Sequence, residues 1–118
     1  MRKLPVFIFF FLLPLAFIVS CGKTGASLQE PLDCSTVVNK NFATDINPIV
    51  QSTCNQQGCH DVASINGPGP LTNYSQVFNA RIVIRAAIES GLMPQNGTLS
   101  KNQRNAIICW IDGGAPNN

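Results

Sequence analysis

Cys54 and Cys59 are followed at once by His60, the single histidine among 118 residues. Two thiols and an imidazole in one short run suit two kinds of chemistry. They can ligate a soft metal such as zinc, which takes sulfur and nitrogen donors in tetrahedral sets of four. They can also hold a haem covalently, for which Cys-x-x-Cys-His is the usual attachment pattern. The thiols then become thioethers at the ring edge, and a histidine directly after the second cysteine is left beneath the iron. Four residues, Asn55 to Gly58, separate the two cysteines here. Gly58 offers the flexibility a longer spacer needs, and the spacer is expected to bulge away from the haem edge.

A haem iron with one histidine needs a sixth ligand to stay closed to small molecules. A thioether sulfur on the far side does this and raises the potential. The chain has two methionines, Met1 and Met93, and no second histidine to make a bis-histidine pair. Met93 lies 33 positions after His60 and is followed by Pro94, which pushes the residue before it into an extended conformation. A lone methionine also fits a gap-filling role in a core.

Helical periodicity supplies the elements around these residues. From Phe42 the pattern changes, and Ile46, Ile49, Val50 and Thr53 fall on one face of a helix that delivers Cys54 from its last turn. Thr44 or Asp45 is its expected cap, and Pro48 is tolerable in a first turn. Asn66-Gly67-Pro68-Gly69-Pro70 is a loop. A second helix runs from Ser75 to about Ser90 and ends at Gly91. Its residues Val77, Phe78, Ile82, Val83, Ile84 and Ile88 predict broad burial. Arg81 and Arg85 share one face, as a solvated pair or as partners for haem propionates. A third helix starts at Ser100, with Gln103 completing a capping box. Its residues Arg104, Ile107, Ile108 and Ile111 form one face, Trp110 flanks it, and Cys109 is expected to point away from the core. Three helices, long polar loops and no alternating strand pattern predict an all-α domain.

The N-terminus has another character. Met1-Arg2-Lys3 precedes an almost wholly apolar run from Leu4 to Val19, the form of a secretory signal. A spanning helix needs about 20 apolar residues, and this run is shorter and carries Pro5 and Pro14. Ile18-Val19-Ser20-Cys21 resembles the lipobox of bacterial lipoproteins. The resemblance implies a signal peptide over 1–20 and lipidation of Cys21, with anchoring on the periplasmic side of a bacterial membrane. A plain cleaved signal, with Cys21 as a chance thiol, is the alternative. Residues 21–38 then form a tether, and 39–118 the domain. The formal charge of +2 belongs to Arg2 and Lys3, so the mature chain is neutral and has no basic face for nucleic acid.

Five cysteines in an exported chain need accounting for. With lipid on Cys21 and haem on Cys54 and Cys59, an oxidising compartment favours a disulfide between Cys34 and Cys109. The alternative is two disulfides, Cys54–Cys59 among them, and no haem.

Beyond the Cys54…Cys59-His60 motif, Asp45-Ile46-Asn47-Pro48-Ile49-Val50, Leu71-Thr72-Asn73-Tyr74, Met93-Pro94 and Ile108-Cys109-Trp110-Ile111-Asp112-Gly113-Gly114 complete a pattern covering about residues 42–118. It resembles a small mono-haem c-type cytochrome domain of the sort bacterial lipoproteins carry. The resemblance implies a cytochrome c-like fold, with three main helices and long loops wrapped around one haem c. It implies Cys54 and Cys59 as thioethers, His60 and Met93 as axial ligands, and a terminal helix packed across the first. The longer cysteine spacer departs from the family pattern.

The expected function is electron transfer with redox partner proteins, by a carrier and not an enzyme, since no acid, base or nucleophile constellation occurs elsewhere. A zinc module on Cys54, Cys59 and His60, a disulfide-stapled lipoprotein that binds a partner, and a haem protein with Met93 off the iron (a gas sensor or small peroxidase) are the competing readings.

Overall fold

The computed structural model describes residues 31–118. The leader over 1–20, the lipidation cysteine Cys21 and the first part of the tether lie outside the described residues.

Three helices make up the described fold, and no strand occurs among these residues. Helix α1 (42–54) consists of three consecutive pieces. Phe42–Ile46 and Val50–Cys54 have π-type hydrogen bonding, and Asn47–Ile49 between them is α-helical. It begins earlier than Thr44. Asn41 occupies the cap, where its backbone N–H donates to Asp45 Oδ2 at 2.9 Å. Asn118 also closes this end: its Oδ1 accepts from Phe42 N–H at 2.8 Å and its carbonyl from Ala43 N–H at 2.8 Å. These bonds satisfy N–H groups that have no partner inside a helix. Phe42, Ile46 and Val50 are buried, with Ile49 packed at the edge of the core.

Helix α2 (Tyr74–Glu89) is capped by Asn73, whose side chain accepts from Gln76 N–H at 3.1 Å, two residues before the expected Ser75 cap. Val77, Ala80, Ile84 and Ile88 are buried, at spacings of three and four. Ile82 and Val83 are exposed, so the broad burial predicted for this helix is narrower in fact. A single helix presents one stripe to a core of this size, and apolar residues outside the stripe stay in solvent. Gly91, at φ +75°, turns the chain out of the helix, and Met93 N–H then reaches back to Ala87 O at 3.2 Å.

Helix α3 (Lys101–Asp112) has the expected capping box, with Ser100 and Gln103 bonded reciprocally. From Ala106 to Ile111 every side chain is buried. Cys109 is among them at 2 % exposure, which corrects the expectation that it faces outward. The reason is the segment before α1, which lies over this side of the helix and is bonded to it through the Cys34–Cys109 disulfide. A single-helix projection has no way to show such a cover.

The core is centred on aromatic contacts. Phe42 meets Tyr74 edge-on with centroids 5.0 Å apart, and Trp110 at 5.4 Å. The start of α1, the start of α2 and the end of α3 therefore meet at one point, and the terminal helix packs against the first. Trp110 Nε1–H donates to Pro116 O at 2.9 Å and Tyr74 Oη–H to Ala115 O at 3.0 Å, so the polar tips of both rings are satisfied by the last residues. Truncating a buried tryptophan of this kind costs about 3–5 kcal/mol.

Candidate functional site

Between α1, α2, α3 and the loops that follow His60 and Gly91 lies an open cavity of about 690 Å³. Protein interiors are otherwise close-packed. Were such a void enclosed, a cost of about 24 cal/mol per Å³ would exceed the ~5–15 kcal/mol that holds a small domain together. The hollow is therefore an open cleft, and its size falls in the range of about 300–1,000 Å³ typical of cofactor and ligand sites.

Cys54, Cys59, His60 and Met93 all line it, from three different parts of the chain. Cys54 is the last residue of α1. Cys59 and His60 follow a turn in which Cys59 N–H donates to Gln56 O at 2.9 Å and His60 N–H to Cys54 O at 3.2 Å. Met93 comes from the loop after α2. Val50, Ile84, Ile88 and Ile107 supply apolar wall from all three helices.

His60 is 7 % exposed, the single buried residue among the described ones that is polar or charged. Its Nδ1 lies 3.0 Å from Gly69 O. A carbonyl only accepts, so Nδ1 carries the proton and Nε2 the lone pair. No side-chain nitrogen or oxygen among the described residues is both sealed off and unpaired. Nε2 has no hydrogen-bond partner among the described residues, and His60 lines the cavity. A histidine oriented through Nδ1–H by a backbone carbonyl is the arrangement that metal-ligating histidines use. The loop 66–70 also ties in through Leu71 N–H, which donates to His60 O at 2.9 Å.

The two thiols are free, not joined to one another. Burial is the main cause that pushes the Cys54 thiol above its ordinary range, with the Cys59 sulfur adding to it. Among the described residues no three His, Cys, Asp or Glu side chains are arranged to hold a metal ion. Gln56, Gln57 and Gly58 are exposed yet border the cavity, so the spacer forms part of its rim and does not turn wholly away.

Comparison with protein-family models, curated proteins and solved structures finds no match to this chain.

Arg81 and Arg85 stay out of the cavity. Arg81 donates to Phe78 O at 2.8 Å and lies 4.0 Å over the Phe78 ring. Arg85 bridges Glu89 and, across to α3, Asp112, both at 2.6 Å. Its guanidinium is held charged above the usual range chiefly by the hydrogen bond to Asp112. Sequence reasoning passed over Gly69, which orients His60, and Asn66, whose amide donates to Gly58 O at 3.0 Å and Cys59 O at 3.2 Å. Nothing in periodicity marks either one. They matter through contacts that a loop makes with residues seven to nine positions earlier.

Proposed function

We propose that the chain is an electron carrier that holds one covalently attached haem c in this cavity, as a lipid-anchored protein of the periplasmic side of a bacterial membrane. The observation that carries the reading is the convergence of two free thiols, an imidazole held through Nδ1 and the methionine after α2 on one largely apolar space of about 690 Å³. The donor set fits the group. Soft thioether and imidazole donors suit a six-coordinate haem iron, and the apolar wall suits the ring.

In this reading His60 supplies the proximal nitrogen, held in its tautomer by Gly69 O, and Met93 the distal sulfur. Cys54 and Cys59 provide the thioethers. A haem held by these four residues would supply one-electron exchange, and the apolar wall from Val50, Ile84, Ile88 and Ile107 would keep water from it. With His60 and Met93 both given to the iron, the group would have no position left for a substrate, and its role would be to accept and donate electrons with redox partner proteins. The protein's affinity for the membrane rests on acyl chains at Cys21, each buried CH₂ worth about 0.8 kcal/mol.

The deciding experiment is an absorption spectrum with a pyridine haemochrome assay. The chain is expressed with its leader in a host that matures c-type cytochromes. A c-type spectrum that resists acid–solvent extraction is expected. A colourless product whose Cys54 and Cys59 react freely with alkylating agents overturns the proposal.

A further inference from the structure

The four-residue spacer poses a geometric problem of its own. After α1 ends at Cys54, the chain must return a second thiol and the imidazole to the same wall of the cavity with two more residues than the usual motif. The spacer is braced from both sides. Toward the helix, Gln56 Nε2–H donates to Gln51 O and Ser52 O, both at 3.0 Å, and Asn55 Nδ2–H to Gln51 Oε1 at 2.6 Å. Toward the following loop, Asn66 Nδ2–H donates to Gly58 O at 3.0 Å and Cys59 O at 3.2 Å, and Ser64 Oγ–H donates to the same Cys59 carbonyl. Asn66 N–H in turn donates to Ser64 Oγ at 3.2 Å, which ties the two donors to each other. Gly58, at φ +78°, takes the left-handed conformation that turns both carbonyls toward them.

We infer that Asn66, seconded by Ser64, is a positioning residue for the second thioether: it orients the Gly58–Cys59 segment so that the Cys59 sulfur, displaced by the long spacer, faces the ring edge. The inference rests on the haem reading above. The bond in question forms by addition of a thiol across a vinyl group. A sulfur–carbon bond forms, the vinyl π bond is lost, and the thiol hydrogen ends on the neighbouring carbon. No oxidant or reductant is consumed. Cys54, held at the end of a helix, is positioned without the brace. Cys59 is the sulfur that depends on it.

The test compares wild type with Asn66→Asp, which keeps the shape and removes the donor, and with Ser64→Ala. Each is matured in vivo and scored by peptide mass mapping and by alkylation of the denatured protein. Asn66→Asp is expected to raise the fraction with a free Cys59 thiol and haem held through Cys54 alone by roughly two- to tenfold, the effect of losing a hydrogen bond of ordinary net strength. Ser64→Ala shifts it the same way by less. The haemochrome α band moves to the red, as one vinyl group is left unreacted, while the methionine–iron charge-transfer band stays. A merely destabilising change would lower haem content without that shift. Wild-type protein with two thioethers, together with both variants equally complete at Cys59, overturns the brace and leaves the haem reading standing. Wild type without haem overturns the reading itself. Should Asn66→Asp fail to accumulate, Ser64→Ala decides by the same thiol count.

Discussion

His60 and Met93 face one hollow although 33 residues separate them, and each is held by backbone. Gly69 O takes the proton of His60 Nδ1, and Met93 N–H is bonded to Ala87 O in the last turns of α2. With Met93 as the proposed distal ligand, Met93→Ala should abolish the sulfur–iron charge-transfer band. It should also lower the potential by a sizeable part of the roughly 0.8 V that axial ligands span. A spectrum and potential that barely change would instead mark an iron that Met93 never touches. Cys54 allows a prediction on the haem-free chain. Its thiol titrates above its ordinary value near 9.0, chiefly through burial. The folded state holds that proton more tightly than the unfolded state, so Cys54 favours folding below pH ~9 and that contribution is lost as pH rises through the folded value. Urea midpoints measured from pH 8 to 10.5 should fall more steeply for the haem-free wild type than for haem-free Cys54→Ala. Parallel curves would refute the assignment.

At the scale of elements, the burial of α3 from Ala106 to Ile111 is completed by the segment on its outer side. Leu32 packs against the core, Cys34 is bonded to Cys109, and Lys40 Nζ donates to Cys34 O at 2.9 Å. An Asx turn, with Ser35 N–H on Asp33 Oδ1 at 2.9 Å, shapes the chain around Cys34. The bond spans 75 residues, a separation for which chain-entropy reasoning gives about 4 kcal/mol. Replacing Cys34 and Cys109 together by Ala should therefore lower unfolding stability in urea by about 2–5 kcal/mol. A loss within a few tenths would show that the segment adds nothing beyond its contacts. Helix existence and the Ser100–Gln103 box were legible in the sequence because both depend on residues three or four apart. The orientation of Cys109 was not, because it depends on a segment 75 residues away.

For the whole molecule, no helix among the described residues is long and apolar enough to cross a membrane. Membrane attachment in the proposed reading then depends on lipid at Cys21. Cys21→Ser should move the protein from the membrane fraction to the soluble one without changing the spectrum of its domain, read by fractionation and absorbance. Persistence in the membrane fraction after carbonate washing would point to the apolar leader itself as the anchor. The domain's charges are mostly spent on local ties such as Arg85 to Glu89 and Asp112. No charged side chain lines the cavity, so the surroundings of the site are uncharged apart from whatever a bound group brings.

The amino-acid order alone determined that the chain is helical, where its helices lie to within a turn or two, and which four side chains carry soft or titratable donors. Those properties follow from spacing and from residue chemistry, and both are local. It also pointed to the Cys34–Cys109 pair, through the count of cysteines. Only the tertiary structure decided that the donors share one cavity, that His60 is buried with Nδ1 on Gly69 O, and that Ile82 and Val83 stay out of the buried core. It also decided that the spacer Asn55–Gly58 is a braced rim. Each of these depends on which loop meets which helix. That is settled by burial of Phe42, Tyr74 and Trp110 against one another and by carbonyls such as Gly69 O, and none of it is visible in the periodicity of any single segment.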